Sequence, residues 1–161
     1  MSGETPAPGD LVPPPEAPPG GRACVVMLGG RPFAVDVTDA REVVVLAATT
    51  AVPGAPPAVL GVMNLRGNVL PVVEARPLLG LPVHARVDRA LVVADGDRRA
   101  AVVIEGVLGL TALEDVQPPP PGEGDLAAGE LTVGSAGQAT LLDARALLGA
   151  MRREWNPGSG G

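Results

Sequence analysis

Residues 61–80, GVMNLRGNVLPVVEARPLLG, set a lone arginine, Arg66, between two apolar runs. Leu60–Leu65 and Val69–Val73 are short, rich in β-branched and aliphatic residues, and separated by Arg66-Gly67-Asn68, which reads as two strands joined by a tight turn. Any polar residue would solvate such a turn. An arginine there asks for a partner, and the rest of the chain has to supply it.

The end of this stretch recurs. VVEARPLLG, Val72–Gly80, returns as LLDARALLG, Leu141–Gly149, at an offset of 69 residues, and CVVMLGGRPFAV, Cys24–Val35, returns as LVVADGDRRAAV, Leu91–Val102, at an offset of 67. Two nearly equal offsets describe an internal duplication. Each half opens with a hairpin and closes with a strand leading into a short helix, where Glu74 or Asp143 stands at the helix start to accept from exposed amide donors. Halves of roughly 60 residues are marginal alone, so the two are expected to share an apolar interface. We place the halves at about 22–84 and 88–150, inside one domain over 22–152.

Outward from these segments the pattern stays short, Val-rich and turn-punctuated, the signature of an all-β domain with short helices. Ala23–Leu28 and Pro32–Val37 flank Gly29-Gly30, and Leu91–Ala94 and Arg98–Ile104 flank Asp95-Gly96-Asp97, two expected hairpins. Arg41–Leu46, Val107–Leu113, Glu130–Val133 and Ala139–Leu142 are further strands, and Pro53–Pro57 is read as an extended crossing. Residues 1–21 carry proline at seven positions, which removes backbone donors and favours extended, unpacked chain, so this is a tail. Residues 153–161 form a second, flexible tail.

Composition narrows the function classes. Of 161 residues, 46% are hydrophobic, enough for a packed core, yet no apolar run approaches the roughly 20 residues of a membrane-spanning helix. The start has neither a basic region nor an apolar core of a secretory signal, and a cytoplasmic location is expected. The net charge of −6 and the absence of a large basic cluster argue against nucleic acid or anionic lipid as partner. Cys24, the single cysteine, sits among Ala23, Val25 and Val26 and reads as a buried strand residue.

Catalytic groups are scarce: one histidine, His84, in a polar connection, no lysine or tyrosine, and three serines, two of them in the tails. That inventory leaves almost nothing for a Ser-His-Asp set, and a single imidazole does not make a metal site. Asp95-Gly96-Asp97 reads as a turn rather than a cation loop, and aromatics at 1% provide no stacking platform for bases. Trp155 reads as a packing or tail residue. A small hydrolase built on Glu74, Glu105 and Asp143 is the remaining enzymatic alternative, and carboxylates ionised at helix starts suit it poorly. No cofactor, metal ligand or catalytic residue is assigned.

Gly61, Val62, Asn64, Leu65, Arg66, Gly67, Pro71, Val72, Glu74 and Arg76 together resemble the signature of CheW-type chemotaxis coupling proteins. The resemblance extends over residues 22 to about 150, with the opening hairpin, the element Ile104-Glu105-Gly106-Val107 and the closing LLD segment in family order. It implies two packed, SH3-like, five-stranded β-barrels. It also implies a non-catalytic adaptor joining the cytoplasmic tips of chemoreceptors (methyl-accepting chemotaxis proteins) to the regulatory domain of a CheA-type histidine kinase, recruited to membrane-associated arrays.

On that resemblance Arg66 lies near the coupling surface with Glu42 as its partner, and a guanidinium forked onto a carboxylate fixes both side chains. Ala40, in the receptor-contacting strand, together with Asn64 and Leu91 completes the expected partner-binding set. Gly61, Gly67, Pro71, Glu74 and Asp143 are expected to be structural. A passive array component, or an adaptor of a pathway with another output such as surface motility or development, are the alternatives within this class.

Overall fold

In the computed structural model, residues 21–46, 48–83, 86–119, 121 and 124–154 are described. His84, Trp155 and the proline-rich residues 1–20 lie outside them. Ten strands run in order: β1 (Arg22–Leu28), β2 (Arg31–Asp36), β3 (Ala40–Val45), β4 (Val59–Leu65), β5 (Asn68–Val73), β6 (Arg89–Asp95), β7 (Arg98–Ile104), β8 (Gly106–Ala112), β9 (Ala127–Thr132) and β10 (Gln138–Leu142), then one helix, α1 (Ala144–Glu154). The helix reaches two residues into the segment expected to be a tail. Pro53–Pro57 does not form an extended crossing: Ala55 N–H bonds to Val52 O and Val59 N–H to Pro56 O, because the Pro-Gly and Pro-Pro steps here favour turns over a strand.

The strands form two five-stranded sheets, ordered β8-β1-β2-β10-β9 and β3-β6-β7-β5-β4. Replacing each strand by its counterpart five places on turns one order into the other, so the duplication seen in the sequence is present in space. The boundary expected near residues 84–88 does not separate the sheets, however. The first sheet joins the opening hairpin β1-β2 to three strands of the second half, while the second joins hairpin β6-β7 to three strands of the first. Each hairpin is linked on one side by an antiparallel pairing, β1 with β8 and β6 with β3, and on the other by matching parallel contacts, Ala34 with Leu141 on β2 and β10, and Ala101 with Val72 on β7 and β5. Local sequence dictates hairpins, but it carries no signal for which distant strand a hairpin will pair with.

Each hairpin strand is buried on both faces, which explains the near-continuous Val-rich runs. Ala23 and Val25 of β1 pack with Leu113, Leu131 and Val133 inside the first sheet; Ala90 and Val92 of β6 pack with Met63, Leu70 and Val103 inside the second. The alternate residues, Cys24, Val26 and Leu28 with Leu91 and Val93, form the large core between the sheets, closed by Leu147, Leu148 and Met151 of α1. Cys24 is in that core, and burial pushes its thiol pKa up. Among the described residues no helix is long and apolar enough to cross a membrane.

Two close approaches recur by the same symmetry. The chain before β4 bridges Val62 through Thr50, and the chain before β9 bridges Glu130 through Gln117. A Cβ on Gly61 would lie 2.3 Å from Thr50 O, and one on Gly129 would lie 2.5 Å from a Val116 methyl. Only glycine lets the crossing segments lie so near.

Candidate functional site

The β4–β5 turn is a two-residue turn with positive φ at both centres, 51° at Arg66 and 89° at Gly67, the geometry that right-handed strand twist favours. Asn64 Oδ1 accepts the Gly67 N–H at 2.9 Å and holds the turn in place. A non-glycine residue in the left-handed region carries a conformational cost, so Arg66 is held there by its surroundings. The turn throws its side chain across to β3, where the guanidinium bonds the Glu42 carboxylate.

That ion pair spans from one edge strand of the second sheet toward the other, since β3 and β4 stand at opposite ends of its order. Both side chains are accessible, Arg66 at 65% and Glu42 at 36%. They border an open depression of about 300 Å³ that also includes Arg41, Arg99, Leu65 and Val92. Three guanidiniums around one carboxylate leave this patch positive on a chain of net charge −6. Such a surface suits acidic groups of a partner.

Ala40 is half-buried on β3, packs toward the inter-sheet core and is not among the residues that line this depression. Leu91 does not reach it. At 2% exposure it is a core residue of β6, facing the other sheet; the strand is buried on both faces, and no position on its middle section is open to a partner. Pro71 is half-buried on β5, opposite Val62.

Arg76 and Glu105 form a second constellation, one that the sequence does not reveal as a unit. Arg76 is 2% exposed and forks onto Glu74, with Nε to Oε2 at 2.8 Å and Nη2 to Oε1 at 2.7 Å, while Nη1 reaches Glu105 Oε2 at 2.8 Å. Glu105 in turn accepts the N–H groups of Gly29 and Gly30 at 2.8 and 3.0 Å. One carboxylate thus ties the β1–β2 turn of the first sheet to the β5 exit of the second. Burial pushes Glu105 up, but hydrogen bonds from Gly30, Arg76 and Gly29, with the Arg76 charge, outweigh it and hold the pKa below the ordinary carboxylate value. Hydrogen bonds donated to Glu74, and then to Glu105, raise Arg76 further above its usual value despite burial.

Glu74 therefore does not start a helix as expected. The chain beyond it makes a single 3-10 turn, Pro77–Leu79, without a side-chain cap, and the Glu74 carboxylate is taken up by the Arg76 guanidinium and backbone N–H. Gly80, in the left-handed conformation with its N–H on Pro77 O, ends that turn after three residues. Asp143 does cap: its Oδ1 accepts the Ala146 N–H at 2.9 Å at the start of α1. All three carboxylates of the hydrolase alternative are thus committed to structural bonds, and Glu105, with its pKa held low, is a poor proton donor. The signal that marked Glu105 was its place in the Ile104-Glu105-Gly106-Val107 element. Its partners lay 29 and 75 residues away and were not legible.

The model of the CheW-like domain family matches residues 22–151. The chain is 33% identical over 88 residues to chemotaxis protein CheW of Bacillus subtilis (strain 168), covering 53% of this chain and 56% of that protein. It is also 33% identical over 106 residues to chemotaxis protein CheW of Rhizobium meliloti (strain 1021), covering 63% and 68%. The matched region thus spans between about half and two thirds of these relatives' lengths. Among solved structures, the scaffolding protein TtCheW from Thermoanaerobacter tengcongensis superposes with a TM-score of 0.69 at 22% identity, covering 76% of this chain and 83% of that one, which is a likeness of fold.

Proposed function

The chain belongs to the CheW-like domain family, and from that premise we propose that it is a non-catalytic chemosensory adaptor that couples chemoreceptors to a CheA-type histidine kinase. The observation that carries this reading is the exposed Arg66–Glu42 pair, held by a strained turn over an arginine-rich depression that has no catalytic group. The depression receives the acidic, helical cytoplasmic tip of a receptor. Asn64 sets the turn that presents Arg66, and Ala40 leaves room on β3 for a larger apolar residue of the partner.

The kinase regulatory domain docks elsewhere, on the edge of the first sheet. Strand β8 is an outer strand with Leu108 and Leu110 exposed at 51% and 62%, an apolar edge of the kind that strand addition or end-to-end barrel packing covers. Two separate faces let one small protein hold both partners at once, and recruitment through the receptors places it at the membrane-associated array.

Kinase autophosphorylation, reconstituted with receptor fragments, tests this reading in the absence of adaptor, with the intact protein and with Arg66→Ala, alongside direct binding of each partner. Receptor-dependent change in kinase activity with the intact protein, lost in folded Arg66→Ala, is the expected result. Binding of both partners without any change in activity overturns coupling and leaves a passive array component; absence of kinase binding overturns the adaptor reading for that kinase.

A further inference from the structure

The internal duplication builds the Arg66 depression twice. The register of β3 on β6 skips Arg41, between Ala40 and Glu42, and the register of β8 on β1 skips Leu108, between Val107 and Gly109, so each edge strand carries a bulge at the same place. Glu42 then pairs with Val92 as Gly109 pairs with Val25. The twin depression in the first sheet, about 360 Å³, has Val25 and Val133 where the other has Val92 and Leu65. The charged positions are not shared: Leu108 stands in place of Arg41, Gly109 in place of Glu42 and Gly134 in place of Arg66. The hollow follows from the backbone, and the charge was added to one copy only.

The three guanidiniums of the charged copy are not equivalent. Arg66 is neutralised by Glu42, and Arg98, beside Arg99 in the chain, bonds Asp95 Oδ2 at 2.8 Å. Arg41 and Arg99 are exposed and, among the described residues, enter no ion pair or side-chain hydrogen bond; Asp39 senses the Arg41 charge without bonding it. In a regular strand Arg41 and Glu42 would point to opposite faces, but a bulge re-aims a side chain, and here both line the depression. Leu70 and Val92 beneath them are buried, and a cleft of one charge sign over an apolar floor concentrates its field on whatever enters.

We propose that Arg41 and Arg99 form a binding position for paired carboxylates of an acidic partner segment, distinct from the Arg66–Glu42 pair. Two guanidiniums without a counter-charge are balanced by two carboxylates, and the planar fork of each receives one in bidentate fashion. Arg66 and Glu42 satisfy each other and shape the wall beside it. That the carboxylates belong to a receptor rests on the adaptor reading; the binding position does not.

The probe is a dye-labelled helical peptide with glutamates at i and i+4 on one face, and the readout is its fluorescence anisotropy on the full chain at low and at rising salt. The variants are Arg41→Gln, Arg99→Gln, both together, and Arg145→Gln, which removes the same charge from an arginine of α1 that is 82% exposed. We expect each of the first two to weaken binding about two- to five-fold, the double variant to weaken it further and flatten its salt dependence, and Arg145→Gln to leave it unchanged. A peptide with glutamine in place of glutamate should not bind measurably. No binding of the glutamate peptide to the intact chain overturns the proposal, as does binding that Arg41→Gln and Arg99→Gln leave unmoved. Equal weakening by Arg145→Gln also overturns it, since the peptide then follows only the overall charge. None of these readouts requires a receptor or a kinase, so failure here leaves the adaptor reading standing.

Discussion

Arg76 and Arg145 occupy the same position of the internal repeat, in EARPLLG and DARALLG, yet the Arg76 side chain is 2% exposed between two carboxylates and that of Arg145 is 82% exposed. Removing one partner of a buried ion network strands the charges that remain, whereas trimming an exposed arginine removes almost nothing. Arg76→Ala is expected to lower unfolding free energy by about 3–5 kcal/mol. Arg145→Ala should stay within about 0.5 kcal/mol of the parent, and urea unfolding of the two variants checks the contrast.

Glu105 contributes a pH dependence to stability. Its folded-state pKa is lowered, so its contribution is complete above the unfolded value of about 4.3 and is lost as pH falls through that value to the folded one. Glu105→Gln is expected to be less stable than the parent at neutral pH, with the difference narrowing as pH falls below about 4. Denaturant midpoints measured across that interval decide it; a difference independent of pH would show that the carboxylate charge contributes nothing.

Two glycines of the Gly61–Gly67 segment should respond differently to alanine. At Gly67, with φ at 89° and no atom near a new Cβ, only the left-handed conformation opposes the change, about 1–2 kcal/mol. At Gly61 the new methyl lies 2.3 Å from Thr50 O, a backbone atom that has to move, so Gly61→Ala is expected to cost about 3 kcal/mol or more. Thermal denaturation of both variants ranks them directly.

Arg66 and Leu91 separate binding from folding. The Arg66–Glu42 pair is exposed, so Arg66→Ala should leave stability within about 1 kcal/mol while weakening receptor coupling. Leu91 is a core residue, and Leu91→Ala should cost about 2–5 kcal/mol. Any coupling defect of the Leu91 variant should disappear at a temperature where the protein is fully folded; a defect that persists there would return Leu91 to the binding surface.

Legibility tracked distance along the chain. The turns at Gly29-Gly30, Arg66-Gly67 and Gly96-Asp97 were readable because adjacent residues set their φ values, and the Asp143 cap because its acceptor and donor are three residues apart. The Arg66–Glu42 pair came only through resemblance to known sequences, since nothing local joins residues 24 positions apart. The Arg76–Glu105 network and the burial of Leu91 were missed for the same reason: in a strand buried on both faces, alternation no longer tells which side meets solvent.

The sequence by itself determined the strand-rich class, the hairpins, the duplication and the family motif, all of which rest on periodicity, turn chemistry or direct repetition. Only the tertiary structure decided that each sheet takes its hairpin from one half and three strands from the other, and that one copy of the repeated arginine is buried while the other is solvated. Both depend on pairing between segments far apart in the chain. Such pairing is selected by the total apolar area and hydrogen bonding of the assembled whole, not by any preference a short segment carries.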